Sequence, residues 1–265
     1  MSQHSRMRSN SGADTTMDFP TDPTSASIKA PEPDINAEID SVVDIALDMF
    51  ARGGFSQTKL GAIAKETGMS KRMIHYHFSD KKGLYAKTIR RALDRLAPPE
   101  EILQRSYAVP VDGMRRFVDS MFHSFQENPE AVQLLIRERL EPVLEDASAD
   151  IVHGRSEITL HVERLLLVGQ DAGAFRPGIS ADDVLALLTA LSTLRVSGNA
   201  ASIITSHLDL DEPRNVEGMR RMVIDTVLAF LTSNIAPSGY ESYLEATPLP
   251  DSEGTGASDD LYDIY

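Results

Sequence analysis

The sequence predicts an all-α fold, with an N-terminal three-helix helix-turn-helix domain followed by a larger helical domain. Three observations predict it. Between about residues 35 and 235 apolar residues recur at helical spacing, and no segment alternates as a half-buried strand would. Gly68 separates two short helical patterns, the layout of a helix-turn-helix. Pro98-Pro99 then divides this portion from several longer amphipathic segments.

Residues 1–33 are rich in Ser, Thr, Asp and Pro without periodicity, and read as a disordered arm. The first helix, from about Ile35 to Arg52, carries Ile39, Val42, Val43, Ala46, Met49 and Phe50 on one side and stops at Gly53-Gly54. A second, Lys59 to Thr67, buries Leu60, Ile63 and Ala64. Gly68 turns the chain, Ser70 caps, and a short helix from Lys71 to His77 ends at Phe78-Ser79-Asp80. A longer helix from Lys81 reaches Pro98, closing a domain over 34–97. Within 98–235 come a stripe of Phe117, Val118, Met121, Phe122 and Phe125, then one of Val132, Leu135, Ile136 and Leu140. Helices over about 149–169, 181–195 and 213–234 follow. The last has two apolar strips, one with Val223, Val227, Phe230 and Leu231, the other begun by Ile224 and Leu228. With Leu188 and Leu191 of the preceding helix, they make a homodimer face the expected use of that surplus. Residues 236–265, broken by Pro and Gly and ending acidic, read as a second disordered tail that aids solubility.

Composition limits the chemistry. There are no cysteines, so no disulfide and no thiolate metal site exists. No run of about twenty apolar residues spans a membrane, and the N-terminus lacks a secretory apolar stretch, so a cytoplasmic protein is expected. Net charge is −14, yet eleven cations face three acids between Arg52 and Arg95, a local +8 within a remainder of −22. A polyanion would find one docking face there and repulsion elsewhere.

That face lies around the turn. Ser70 as N-cap leaves backbone N–H groups pointing outward, ready for a phosphate. Lys71 and Arg72 occupy the first turn of the next helix, where cations oppose the helix dipole and help only if a polyanion lies in front. Lys81 and Lys82 repeat the arrangement one helix later. Ile63, Ala64, Met69, Ile74 and Phe78 read as core. His75 and His77 fall on different helical faces, a poor metal geometry. His207, Asp209 and Asp211 alternate and could offer ligands, although incidental loop polarity explains them as well. No phosphate loop, zinc motif or nucleophile elbow appears, so neither an enzyme nor a cofactor is expected.

The stretch from about Val42 to Leu96 resembles the DNA-binding domain of TetR-family regulators. The resemblance is carried by Ala46-Leu-Asp-Met-Phe50, Gly53-Gly-Phe55, Thr58-Lys-Leu-Gly-Ala-Ile-Ala64 and Gly68-Met-Ser-Lys-Arg-Met-Ile-His-Tyr-His-Phe78 with Lys81. It implies that Thr58 and Lys59 hold phosphate and that Lys71, Arg72 and Met73 face base edges. Arg72 would suit a guanine and Met73 a thymine methyl. Tyr76, His77 and Lys81 would meet the DNA backbone. Two departures stand out. His75 replaces a frequent Tyr, so Tyr76 is the alternative source of a phosphate-binding hydroxyl. Asp34, Glu38 and Asp40 stand where the family often has a cation. Arg6, Arg8 or Lys29 of the arm could compensate by reaching a groove, the alternative being a passive tail.

For the larger domain the resemblance implies a dimer and an enclosed small-molecule pocket. Met114 to Arg139, with Phe122, His123, Phe125 and Arg137, loosely resembles a subgroup that includes pyrimidine-utilisation regulators. A small polar or aromatic effector would follow. The expectation is therefore a homodimeric repressor on a palindromic double-stranded operator, released by a small molecule. A regulator whose larger domain binds a protein, or an activator or low-specificity DNA binder, are the alternatives.

Overall fold

The computed structural model describes residues 35–144, 148–197, 208–235 and 243–244. The expectations for the arm at 1–33 with Arg6, Arg8 and Lys29, for Asp34, for His207, and for nearly all of 236–265 fall outside those residues. From Ile35 onward the chain clusters as one compact unit. Its described elements are helical: α1 (Ile35–Gln57), α2 (Leu60–Thr67), α3 (Lys71–Phe78), α4 (Lys81–Leu96), α5 (Glu100–Leu103) and α6 (Pro110–Glu127) come first. α7 (Pro129–Leu140), α8 (Ser148–Asp171), α9 (Ala181–Ser192), α10 (Leu194–Ser197) and α11 (Pro213–Thr232) complete the order.

The expected stop at Gly53-Gly54 is a break inside α1. Gly54 has φ 71° and ψ 168°, values that only glycine adopts without strain, and one further turn runs to Gln57. Val42, Val43, Ala46, Leu47 and Phe50 of α1 are buried, as the helical spacing demands. They pack against α4 and α7. Phe50, Phe55 and Tyr85 form an aromatic trio with centroids 5.0–6.0 Å apart, within the range of favourable ring pairs.

α6 is the hub of the larger portion. Its predicted stripe of Phe117, Val118, Met121, Phe122 and Phe125 is buried, and α6 meets α8, α9 and α11. α9 starts with a capping box in which Ser180 and Asp183 exchange side-chain and backbone hydrogen bonds.

The dimer expectation for α11 needs correction. Leu188, Val223, Val227 and Leu231 are fully buried within this one chain, and so are Ile224 and Leu228; Leu191 and Phe230 are partly covered. α11 lies between α6 and α9, so both its apolar strips face its own protomer. The side left outward carries Met222 and Ala229 on α11, and Ala186 and Ala190 on α9.

The C-terminal stretch also differs at the two residues described. Backbone N–H groups of Tyr243 and Leu244 donate to the buried Asp183 carboxylate at 3.4 and 2.8 Å. The Tyr243 ring lies 5.6 Å from that of Phe230, with the Arg176 guanidinium over both. These two residues are docked by a buried acid and a cation–π stack.

Candidate nucleic-acid interface and regulatory cavity

The α2–α3 unit is built by local hydrogen bonds. The Thr67 hydroxyl donates to the Ile63 carbonyl at 2.9 Å, and the Met69 N–H donates back to that hydroxyl at 3.3 Å. Gly68 at φ 72° makes the left-handed turn. Ser70 accepts from the Met73 N–H at 3.2 Å, the predicted N-cap. Ile63, Ile74 and Phe78 are buried beneath, with Ala64 and Met69 partly so. This core fixes α3 so that Lys71, Arg72, Met73, His75 and Tyr76 face solvent, Tyr76 at 79% exposure.

The α3–α4 junction falls at the expected break, Phe78-Ser79-Asp80, with the helix running one residue further to Phe78. Ser79 sits at φ 65°, a strained value for a side-chain-bearing residue. The His75 ring donates from Nδ1 to the Ser79 carbonyl at 2.9 Å, and Asp80 caps α4 by accepting from the Gly83 N–H at 2.7 Å. A Cβ on Gly83 would come within 2.1 Å of the Phe78 carbonyl oxygen, so the tight reversal requires glycine there.

Two expected phosphate contacts, Thr58 and His77, are reassigned. Thr58 is buried, and its hydroxyl donates to the Gly54 and Met49 carbonyls at 2.8 and 3.1 Å. It holds the end of α1 and has no hydroxyl proton left for DNA. His77 turns its Nε2 into the protein, where that atom has no described partner, and its ring packs edge-on against Tyr76 and Phe78. Lys81 stands 4.3 Å over the Phe55 ring, and partial burial lowers its pKa. Lys59 is exposed at the start of α2, which has no side-chain cap and so leaves its first N–H groups outward.

The basic surface is narrower than the local sum of charges. Arg91 is bound by Asp40 and Asp44, and Arg95 by Asp44 at 3.1 Å. Asp40, one of the acids that departed from the family pattern, thus joins Asp44 in neutralising the far end of α4. Lys59, Lys71, Arg72 and Lys82 form no ion pair among the described residues. Positive charge is left concentrated around α2, α3 and the first turn of α4.

Of the four residues expected at an effector pocket, Phe125 lines the largest described cleft, and Arg137 borders a separate, smaller one beside Phe55 and Tyr85. The larger cleft, of about 700 Å³ and open to solvent on one side where the expectation was an enclosed pocket, is bordered by α4, α6, α7, α8 and α9, and Phe125, Met121, Leu135 and Arg139 are among its walls. Phe122 is 1% exposed and belongs to the core. His123 faces solvent and is tied to its own helix at the Asp119 carbonyl, 2.8 Å away. Arg137 points the other way. Its Nε donates to the Ala51 carbonyl at 2.6 Å and its Nη2 to that of Arg52 at 3.0 Å, capping the regular part of α1. Glu138 beside it accepts from the Val143 and Leu144 N–H groups at 2.9–3.2 Å. Burial, then hydrogen bonding to Glu138, drives the Tyr85 phenol far above its ordinary pKa. α7 therefore lines the cavity with one face and grips α1 and α4 with the other.

A basic helix-turn-helix mounted on a helical module with its own cavity defines the class of two-part helix-turn-helix proteins. Residues 42–88 match the family described as bacterial regulatory proteins, tetR family, and residues 110–227 match the tetracyclin repressor-like C-terminal domain. The chain belongs to the TetR family. Over 106 residues it is 29% identical to the HTH-type transcriptional regulator RutR of Escherichia coli K12, covering 40% of this chain and 50% of that protein. It thus spans about half the length of the curated relatives it matches. Among solved structures, the Streptomyces coelicolor protein SCO4942 shares the fold at TM-score 0.56 and 23% identity, covering 72% of this chain and 97% of its own. The TetR family transcriptional regulator PfmR of Thermus thermophilus does so at 0.57 and 19%, covering 72% and 96%. Among the described residues no helix is long and apolar enough to cross a membrane.

Proposed function

We propose that this chain is a sequence-specific transcriptional regulator that binds a palindromic DNA operator as a homodimer and represses until a small molecule releases it. The observation that carries the reading is the outward face of α3. Lys71, Arg72, Met73 and Tyr76 are exposed on a helix whose opposite face, Ile74 and Phe78, is locked into the core. A rigid helix presenting cations and a thioether at its N-terminal end suits major-groove reading. Arg72 reads a base, Met73 contacts a base edge, and Lys59, Lys71, Tyr76, Lys81 and Lys82 bind the backbone.

The dimer forms through the outward sides of α9 and α11, where Ala186, Ala190, Met222 and Ala229 offer a shallow surface that a second copy can approach closely. In it the two α3 helices stand one DNA turn apart, roughly 34–36 Å, or slightly more. Names of relatives such as RutR support a regulator, and the cavity supports a ligand-dependent one. Selection of bound duplexes from a random pool tests this directly. A symmetric site with two half-sites is expected. Recovery of no enriched sequence, together with no duplex binding in dilute buffer, refutes the reading.

A further inference from the structure

We infer that the cavity takes an amphipathic carboxylate, with an extended apolar body in the pocket and a single anionic head on Arg139. This deepens the proposed function, since it rests on the cavity being the effector site. Eleven of the fifteen lining residues are apolar, and the volume of about 700 Å³ suits a whole small molecule.

The polar lining is sparse and one-sided. Among the described residues Arg139 is the sole charged one in the walls, and no described acid lines them. Its guanidinium forms no ion pair among the described residues. The other polar walls are Thr159, Thr189 and Thr193. The Thr193 hydroxyl already donates to the Thr189 and Ala190 carbonyls at 2.9 and 3.3 Å, so it offers no free proton. Along α7, Val132, Leu135, Ile136 and Arg139 follow one another at helical spacing. Leu140 follows Arg139 in the same wall, so α7 offers one cation near the end of an otherwise apolar strip, which matches a ligand with a tail and a single head.

Other ligand classes fit worse. A polar heterocycle would leave donors and acceptors unpaired against Leu and Ile walls, and each such group would lose its hydrogen bonds to water without replacement. That argument weighs against the polar member of the polar-or-aromatic pair that the resemblance implied. An amine would set positive charge beside Arg139, with no carboxylate among the described walls to receive it. A carboxylate gains a planar, two-pronged donor at the cavity mouth and leaves the rest of its surface apolar.

The test compares decanoate, decanol and decylamine, which share a chain and differ in head group. The full-length protein is titrated by calorimetry and thermal shift below the micelle threshold. Decanoate is expected to bind at one per protomer, about tenfold tighter than decanol, with decylamine weakest. Arg139→Gln removes the preference for decanoate over decanol. Ile136→Trp fills the apolar end and weakens all three. Equal binding of decanoate and decanol overturns the inference, as does no saturable binding or an undiminished decanoate preference in Arg139→Gln. Operator binding measured without additive separates the two claims. A protein that binds DNA but ignores head groups refutes the ligand class alone, whereas one that binds decanoate but no DNA refutes the regulator reading.

Discussion

Arg137 and Arg139 are two residues apart on α7, yet they should behave as opposites when truncated. The Arg137 guanidinium donates to the Ala51 and Arg52 carbonyls at 2.6 and 3.0 Å, the two acceptors exposed where Gly54 interrupts α1. A hydrogen bond from a charged donor contributes about 1.5–3 kcal/mol when sheltered. Arg137 is only half-buried, so solvent screening reduces the pair to a total of roughly 2–3 kcal/mol. For a chain with this much ordered structure, each kcal/mol moves the midpoint by about 2–4 °C. Arg137→Ala should therefore lower Tm by roughly 4–12 °C. Arg139→Ala, at an exposed site without a described partner, should stay within about 0.5 kcal/mol of the parent. Arg137→Lys keeps charge but not the fork, and should fall between. Differential scanning calorimetry on the three variants decides the matter. An Arg137→Ala midpoint equal to that of Arg139→Ala would mean that the α7–α1 link carries no stability.

Three further perturbations follow from the same geometry. Arg72→Ala should change base preference in a selection experiment by about 1–3 kcal/mol at one position, while Lys81→Ala weakens all duplexes alike; uniform loss from both would remove the division of roles. Gly83→Ala forces a Cβ to within 2.1 Å of the Phe78 carbonyl, so a loss of at least about 1–3 kcal/mol from overpacking is expected, and a variant with parental Tm and DNA affinity would contradict it. His161 is buried, its Nδ1 donates to the Leu103 carbonyl at 2.8 Å, and burial lowers its pKa below 6.5. The unfolded chain then binds the extra proton first, so stability rises with pH and is lost as pH falls below about 6.5. The Tm of the parent should drop on acidification more than that of His161→Gln, and parallel pH profiles would show that His161 is not responsible.

What could be read beforehand divides by the range of the interactions involved. The turn at Gly68, the cap at Ser70 and the inward set Ile63, Ile74 and Phe78 depend on neighbours within a few residues, so spacing and turn chemistry reveal them. Resemblance places Thr58 and His77 on DNA, and the sequence around them does not show which way either side chain turns. The Thr58 hydroxyl answers to the Met49 carbonyl nine residues back. Arg137 reaches a carbonyl 86 residues away, and nothing in its own helix marks that. The two strips of α11 show a related limit. Periodicity gives the amount of apolar surface to be covered, but it does not say whether α6 and α9 of the same chain or a second chain covers it.

These long-range contacts also make α7 the natural route between cavity and interface. Val132, Leu135 and Ile136 meet the cavity, while Arg137 and Glu138, on the next positions, hold the end of α1 and Tyr85. A ligand pressing on the first face cannot shift α7 without changing the second, because packed interiors transmit displacement and do not absorb it. The size of the effect is bounded by the ligand's preference for one arrangement over the other. Couplings of about 1–3 kcal/mol, roughly 5- to 150-fold in operator affinity, are the usual range. Cutting the latch separates binding from response. Arg137→Ala should still bind the cavity ligand, since Arg137 does not line the cavity, but the ligand should then change operator affinity less than in the parent. A variant that loses ligand binding and response together would place Arg137 in the pocket after all, and one that keeps the full response would move the coupling to another helix.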